Sequence, residues 1–129
     1  MSTVSPRRFT KPVLAAIHDS RILGIRAGTE PHRFIGIWAV VLDGRVFVRP
    51  WNDKSRGWYR AFQTEPRGRI QIPSGREIRV RARQARGERL YDAVDLAYAE
   101  KYNTQASRKY VVGFATARRR KTTTELIPL

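Results

Sequence analysis

The residues best suited to chemistry lie in one short segment of the chain, from Arg49 to Arg60. Lys54, Ser55 and Arg56 stand where a helix is predicted to begin, and Arg60 follows Arg56 by four residues, close to one helical turn. A helix start presents unpaired backbone N–H groups that attract anions. Cationic side chains add charge-assisted hydrogen bonds. Together with Arg49 at the end of the incoming strand, these residues predict a site for a phosphate group.

Two tryptophans flank these cations. Trp51 and Trp58 could cover the faces of a flat ring system beside the phosphate. Asn52, Asp53 or Ser55 could cap the predicted helix, which would extend to about residue 63. The alternative interpretation is structural: a capped helix whose aromatic residues belong to the core and whose arginines are solvated. The sequence alone leaves both interpretations open.

Arginine also marks two other parts of the chain. Arg26 and Arg33 border a loop that contains His32, and they form a second candidate wall for a bound ligand. Three alternating arginines follow in a predicted strand, at positions 79, 81 and 83. This stripe is either a surface that faces phosphates or the solvated face of an edge strand, where charge prevents pairing with another chain.

Several kinds of active site are excluded or disfavoured. The chain has no cysteine, which excludes disulfides, thiolate metal sites and cysteine nucleophiles. His18 and His32 are far apart and have no carboxylate at ligand spacing, so no metal site is predicted. Asp92 and Asp95 fall on the outer side of a predicted helix and are interpreted as solvated charges. The sequence motifs of serine hydrolases, P-loop NTPases and zinc proteases are absent.

The overall charge narrows the choice of partners. The chain has 26 Lys and Arg against 11 Asp and Glu, a formal net charge of +15. Such a balance attracts phosphates on a nucleic acid, an anionic membrane surface or a phosphorylated cofactor. An Arg-rich coding bias is the alternative source of this charge. No apolar run approaches the roughly 20 residues of a membrane-spanning helix, and the start lacks a signal peptide, so a cytoplasmic protein is expected.

The elements that must position these residues follow from turns and periodicity. Asp43–Gly44 is the two-residue turn that right-twisted strands prefer. Strands are predicted at residues 22–26, 33–42, 45–49, 68–72, 76–86 and 122–129. Pro128 places the last of them at a sheet edge. Helices are predicted at residues 11–18, from about 52 to 63 and at 88–102, whereas residues 103–121 receive no assignment.

These elements predict one domain, residues 9–129, behind a disordered lead at residues 1–8. The predicted fold class is mainly β (α+β), a barrel of about six strands with about three short helices. Tight hairpins with short helices at the crossovers favour a small closed barrel over a parallel sheet.

Four separated blocks of the sequence carry a family resemblance. They read LGIRAGTEPHRFIGIWAVVLDGRVFVRPW, GWYRAF, VDLAYAEKYN and KTTTELIPL. In this order they resemble a bacterial family known as domain of unknown function 2255, over residues 14–129. That family is grouped with the split β-barrels that bind flavin mononucleotide or the deazaflavin cofactor. The strand, polar loop and helix that end at Glu65–Pro66 also resemble those of deazaflavin-dependent nitroreductases and pyridoxamine-phosphate-oxidase-like proteins, which have Asn-Pro at this point.

The resemblance implies a split β-barrel that acts as an oxidoreductase, with FMN or deazaflavin bound in a groove between the two subunits of a homodimer. The implied cofactor-binding residues are Arg26, Arg33, Arg49, Trp51, Asn52, Lys54, Ser55, Arg56, Trp58 and Arg60. No metal and no catalytic residue is implied. Two other functions stay open: a basic module that binds nucleic acid, and a cofactor-free barrel that serves as a binding or structural protein.

Overall fold

The computed structural model describes residues 7–52, 54 and 56–129. Within this part the chain forms five helices, α1 (Lys11–Asp19), α2 (Trp58–Thr64), α3 (Glu88–Lys101), α4 (Arg108–Phe114) and α5 (Ala117–Arg120). It also forms seven strands, β1 (Leu23–Ala27), β2 (Ile35–Ile37), β3 (Ala39–Leu42), β4 (Arg45–Val48), β5 (Arg67–Gln71), β6 (Glu77–Gln84) and β7 (Thr124–Pro128).

The seven strands form one antiparallel sheet in the order β2-β1-β5-β6-β7-β4-β3. The strands at the two ends of this order, β2 and β3, are consecutive in the chain and are separated only by Trp38. Because the chain itself joins the two ends, the sheet curls into a nearly closed barrel. The predicted mainly β, α+β barrel is therefore confirmed, and the architecture agrees with a split barrel.

Two differences explain why the number of elements exceeds the prediction. The segment 33–42, predicted as one strand, is two strands because the chain bends at Trp38: β2 pairs with β1, whereas β3 pairs with β4. Residues 103–121, which the sequence left unassigned, contain the short helices α4 and α5. The other predicted elements are present with shifted ends.

The turn between β3 and β4 has the predicted form. Asp43 and Gly44 both have positive φ, 53° and 73°, as a type I′ turn between right-twisted strands requires. The turn sets the register that pairs Leu42 with Arg45 and Ala39 with Val48. As a result Val46 and Val48 point into the barrel, and Phe47 points outward, as their alternation in the sequence predicts.

Two apolar clusters hold the fold together. The first fills the barrel and includes Phe9, Val13, Ile17, Leu23, Ile25, Val46, Val48, Ile70, Val80 and Leu126. The second lies outside the barrel wall, where α3 and α4 cover β3 and β4, and includes Val40, Phe47, Val94, Tyr98, Tyr102 and Phe114. Because the second cluster covers the outer side of β3, residues on both faces of that strand are apolar.

Strands β6 and β7 both lie inside the sheet, which corrects two predictions. β6 pairs with β5 and β7, so its three alternating arginines do not protect an edge. β7 pairs with β6 and β4. Pro128 is nevertheless tolerated, because the pairing of β7 with β4 stops at Leu126 and leaves Pro128 opposite Val80 alone.

The start of the described chain contacts the turn between β3 and β4. Residues 1–6 of the predicted disordered lead lie outside the described residues. Arg7 and Arg8 are described, and Arg8 donates a hydrogen bond to the carbonyl oxygen of Asp43 at 3.2 Å. None of the helices described is both long enough and apolar enough to cross a bilayer.

Candidate functional site

A groove of about 590 Å³ opens at the bend between β2 and β3. It lies between this bend, the segment that follows β4, and helix α4. We call it the aromatic groove. Its described lining residues are Ile35, Gly36, Ile37, Trp38, Arg49, Pro50, Trp51, Asn52, Lys54, Arg56, Gly57, Trp58, Tyr59, Tyr110 and Phe114.

Aromatic rings form the groove's walls, and they are held by other rings. Trp38 stacks on Tyr102 at 4.0 Å between ring centroids, with the planes 4° apart. Trp51 meets Tyr110 and Phe114 edge to face, at 5.2 Å and 5.4 Å. Edge-to-face contacts of this kind are favourable. They hold the tryptophans in place while part of the groove remains open.

Trp51 is fixed by a second set of contacts from α5 and α4. The guanidinium of Arg119 lies 3.8 Å from the centroid of the Trp51 ring and donates a hydrogen bond to the Trp51 carbonyl oxygen at 2.7 Å. The same guanidinium donates to the carbonyl oxygen of Gly113 at 3.1 Å. Gly113 is needed here because a Cβ at this position would lie 2.5 Å from the indole ring.

A tyrosine hydroxyl opens the barrel at the groove. The register that pairs Ala39 with Val48 would next pair Trp38 with Arg49. Instead, the Arg49 N–H donates to the Tyr98 hydroxyl at 3.1 Å, and this hydroxyl donates to the Trp38 carbonyl oxygen at 3.1 Å. Burial raises the pKa of Tyr98 far above its usual value, so the hydroxyl keeps its proton. Tyr98 is thus inserted where the next backbone hydrogen bond of the ladder would form.

Lys101, the last residue of α3, and Tyr102, which follows it as the C-cap, satisfy backbone groups of β3 that no strand pairs. The Ala39 N–H donates to the Tyr102 hydroxyl at 3.2 Å, and the Lys101 ammonium donates to the Ala39 and Ile17 carbonyl oxygens at 2.6 Å and 2.8 Å. Burial lowers the pKa of Lys101 to about 8 and raises that of Tyr102 to about 12. Backbone groups that a neighbouring strand would otherwise pair are therefore satisfied by a helix.

Arg49 lies behind the groove, and its guanidinium is engaged by the protein. Its side chain is 0% exposed. The guanidinium donates to the Thr123 hydroxyl at 2.8 Å and to the carbonyl oxygens of Phe114 and Tyr91 at 2.8 Å and 3.2 Å. It also forms an ion pair with Asp95.

The partner of Arg49 corrects the interpretation of Asp95 as a solvated charge. Asp95 is 24% exposed and binds both Arg49 and Arg120. Asp92, which the sequence grouped with it, is 74% exposed and binds Arg120 alone among the described residues. Only one of the two carboxylates therefore has a buried guanidinium as its partner.

Two cations of the predicted phosphate site, Lys54 and Arg56, precede the helix, and Arg60 lies within it. α2 begins at Trp58 with Gly57 as its N-cap, so Asn52, one of the three predicted candidate caps, does not cap it. Asp53 and Ser55 lie outside the described residues. Lys54 and Arg56 are exposed and line the aromatic groove, together with Asn52.

The end of α2 agrees with the prediction. The helix stops at Thr64, just before Glu65–Pro66. The Glu65 carboxylate accepts hydrogen bonds from the backbone N–H and the guanidinium of Arg67, and these bonds lower the pKa of Glu65 to about 2. The residue that departs from the Asn-Pro pattern thus joins α2 to β5.

A second groove, of about 380 Å³, adjoins the first. We call it the basic groove. It shares Pro50, Trp51, Asn52 and Tyr59 with the aromatic groove, and its other described lining residues are Arg60, Gln63, Arg118, Arg119, Lys121 and Thr122. No acidic residue is among them. Arg60, predicted beside Arg56, therefore lies in this second groove.

The predicted second wall lies apart from both grooves. Arg26 on β1 donates to the carbonyl oxygen of His32 at 3.2 Å, forms an ion pair with Glu77 at 3.5 Å, and lies 4.7 Å from the ring centroid of Phe34. Arg33 is exposed. Neither arginine belongs to the described lining of the aromatic or the basic groove.

The described residues determine what chemistry the grooves can perform. They contain no cluster of three or more His, Cys, Asp or Glu side chains that could hold a metal ion. The described lining of the aromatic groove includes neither a carboxylate nor a histidine. Its aromatic walls and its exposed cations, Lys54 and Arg56, suit this groove to binding a flat, apolar ring system with an anionic group attached.

Sequence reasoning found part of this site and missed the rest. Trp51, Asn52, Lys54, Arg56 and Trp58 do lie together in the aromatic groove. Trp38, Tyr110 and Phe114 were not identified, and they reach the groove from the bend and from α4. Four consecutive basic residues, Arg118 to Lys121, were a visible signal for the basic groove, but the sequence did not indicate that they lie beside Trp51.

Comparisons with known proteins agree with the fold. A family model described as "uncharacterized protein conserved in bacteria" (DUF2255) matches residues 13–126. A conserved hypothetical protein from Mycobacterium tuberculosis has a similar structure, with a TM-score of 0.61 and 13% identity over 100% of this chain and 85% of that one. A FAD-binding protein from Mesorhizobium loti gives a TM-score of 0.53 and 11% identity over 98% of this chain and 93% of that one. Among curated proteins, none matches the chain.

Proposed function

The chain belongs to the bacterial DUF2255 family. We propose that its aromatic groove binds a phosphorylated flavin or deazaflavin cofactor. One observation carries this proposal: a groove of about 590 Å³ combines aromatic walls with cations at its border. Cofactor and ligand sites commonly have volumes of roughly 300–1,000 Å³ and mostly apolar walls with a few polar groups. The similar fold of a protein named as FAD-binding adds support at the level of the fold.

The residues present fit such a cofactor. Trp38, Trp51 and Tyr110 offer ring faces and edges to a flat heterocycle. Lys54 and Arg56 offer charge-assisted hydrogen bonds to a phosphate. When bound, a flavin or deazaflavin supplies hydride-transfer chemistry, and a protein contributes binding and orientation. We therefore infer that this chain serves an oxidoreductase function.

Arg49 has a different role in this proposal from that of the exposed cations. The N–H groups of its guanidinium already donate to Asp95, Thr123 and two backbone carbonyls. We therefore assign it to holding the end of β4 behind the groove, not to binding the phosphate. The candidate phosphate ligands are the exposed cations in two sets, Lys54 with Arg56 and Arg118 with Lys121.

Binding measurements with paired ligands test the proposal. The purified protein is titrated with FMN, FAD, a deazaflavin and riboflavin, and quenching of ligand fluorescence gives each Kd. Riboflavin has the ring system of FMN without its phosphate, so it serves as the matched ligand control. Binding of a phosphorylated flavin or deazaflavin is expected, and failure of all four to bind would refute the proposal.

Variants then locate the ring and the phosphate. Trp51→Ala is expected to weaken FMN and riboflavin alike, because both contain the ring. Replacing both cations of the phosphate-binding set with Gln should weaken FMN about tenfold or more, since hydrogen bonds to charged groups contribute about 1.5–3 kcal/mol each. The same double variant should leave riboflavin unchanged. Comparing Lys54→Gln/Arg56→Gln with Arg118→Gln/Lys121→Gln identifies which groove holds the phosphate.

We also propose that a second copy of the chain covers the aromatic groove. Ile35, Trp51 and Tyr110 line the groove and are 43%, 41% and 39% exposed, which is a large apolar area to leave in water. Light scattering across a range of protein concentrations measures the mass. A dimer that dissociates in Ile35→Asp is expected, and a monomer at all concentrations would refute this part.

A further inference from the structure

The outer face of the sheet carries a feature that the grooves do not use. The outward side chains of β5 and β6 include arginines that lie directly opposite one another: Arg67 faces Arg81, and Arg69 faces Arg79. On the neighbouring strand, Arg26 faces Arg69. We call these five residues, together with Arg83 at the end of β6, the arginine face.

This arrangement works against the stability of the sheet. Like charges directly opposite each other on neighbouring strands are destabilising. Charge on an edge strand can prevent aggregation, but β5 and β6 are both paired on two sides, so that explanation does not apply. A placement that costs stability and protects no edge points to a role on the surface.

Acidic residues neutralise only part of the arginine face. Glu77 forms ion pairs with Arg26 and Arg69. Glu65 pairs with Arg67, and Glu125 pairs with Arg83. Arg79 and Arg81 are exposed and have no acidic partner in the described part of the chain.

The face has the form of a regular grid. Arg79 and Arg81 are two residues apart on one strand, about 6.6 Å by the usual rise, and strands lie about 4.8 Å apart. The outward residues of β5 and β6 include no aromatic ring. Proteins that bind single-stranded nucleic acid use aromatic side chains on which the bases stack. Contacts to the phosphates of a duplex need only well-placed cations and hydrogen-bond donors.

We propose that the arginine face binds the phosphate backbone of duplex nucleic acid without reading its sequence. This inference goes beyond the proposed cofactor function and does not depend on it, because the arginine face shares no residue with the described lining of either groove. The two arginines without acidic partners, Arg79 and Arg81, provide the principal phosphate contacts.

The test measures the salt dependence of binding to a short, mixed-sequence DNA duplex by fluorescence anisotropy. Each phosphate contact contributes about −0.9 to the slope of log affinity against log salt. Arg79→Gln/Arg81→Gln should therefore reduce the magnitude of the slope by about 1.8. It should also weaken binding at least tenfold at low salt, while the circular dichroism spectrum stays that of the wild type.

A control variant separates the arginine face from net charge. Arg89→Gln/Arg108→Gln removes the same charge from exposed positions on α3 and α4, and the slope should stay at the wild-type value. Equal losses in the two double variants would overturn the proposal, because binding would then follow net charge alone. Absence of duplex binding at low salt would overturn it too, as would binding to phosphatidylserine vesicles in preference to the duplex.

Discussion

Replacing Tyr98 with phenylalanine tests how the groove is held open. The substitution keeps the ring, which packs on Phe114 at 4.9 Å, and removes only the hydroxyl. Two hydrogen bonds disappear, a buried one from the Arg49 N–H and a partly buried one to the Trp38 carbonyl oxygen. Each group left buried without a partner costs about 1–3 kcal/mol. The Arg49 N–H and the Trp38 carbonyl oxygen belong to the residue pair that would come next in the β3–β4 ladder, so they can partly pair with each other. We therefore expect the free energy of unfolding to fall by about 2–3 kcal/mol.

Urea denaturation monitored by tryptophan fluorescence measures this loss. Domains of this size commonly have unfolding free energies of about 5–15 kcal/mol, so such a loss is readily resolved. Tyr91→Phe is the matched control, because Tyr91 lies on the same helix and its hydroxyl has no hydrogen bond to a described residue. We expect the control to change the unfolding free energy by about 0.5 kcal/mol or less.

The same variant should also alter the groove. If the Arg49 N–H pairs directly with the Trp38 carbonyl oxygen, β3 and β4 come together by one more residue pair and the groove narrows. FMN affinity should then fall more in Tyr98→Phe than in Tyr91→Phe. If the two variants have the same unfolding free energy and the same affinity, the hydroxyl does not hold the barrel open and the reasoning is wrong.

Three further predictions concern the surroundings of the groove. Asp95→Asn leaves Arg49 charged and buried beside neutral acceptors only. We expect the free energy of unfolding in urea to fall by about 3 kcal/mol, the lower end for a broken buried pair, because Asp95 is partly exposed. The surface pair of Asp92 contributes less than about 1 kcal/mol, so an equal loss in Asp92→Asn would contradict this prediction. Gly113→Ala places a methyl group against the indole ring of Trp51. We expect this change to lower the free energy of unfolding by about 1–3 kcal/mol and to weaken FMN binding. Unchanged affinity would show that Trp51 does not border the ligand. Burial lowers the pKa of Lys101 from 10.5 to about 8, so between these pH values the unfolded chain binds more protons than the folded one. Lys101 therefore makes the free energy of unfolding rise with pH across that range. If the wild type shows no such rise relative to Lys101→Met, the lowered pKa of Lys101 is refuted.

The fold was predictable wherever local signals determine it. Asp43–Gly44 requires positive φ at two successive residues, and the sequence places the turn at the correct position. The apolar face of α3 follows from helical spacing, and Val94 and Tyr98 are buried as that spacing predicts. In each case the signal and the structure lie within a few residues of each other.

The bend at Trp38 could not be predicted in the same way. The segment 33–42 has the composition of one continuous strand, and nothing local separates its halves. The break exists because residues 35–37 pair with β1 and residues 39–42 pair with β4, two partners on opposite ends of the sheet order. The position of the bend depends on distant pairing that a pattern of apolar residues does not contain.

The residues of the candidate site were also predictable where they are close in sequence and not where distant segments bring them together. Segment 49–58 is continuous in sequence, and its residues Trp51, Lys54 and Arg56 do come together. The assignment of Arg49 depended on its charge and its position at a strand end, which do not reveal a carboxylate 46 residues further along the chain. A short helix such as α4, with Arg and Lys at its start, lacks the periodicity that would identify Tyr110 as a groove residue.

The position of α3 explains why the barrel can remain open without leaving buried backbone groups unpaired. Tyr98 binds both sides of the separation between Trp38 and Arg49, and Tyr102 and Lys101 satisfy the N–H and the carbonyl oxygen of Ala39. In a fully closed barrel, a neighbouring strand would fill these positions. The docking of α3 and the width of the aromatic groove are therefore coupled, because the same hydroxyl groups serve both. A ligand that fills the groove and binds only the open arrangement must stabilise α3 as well, by RT ln(1 + [L]/Kd).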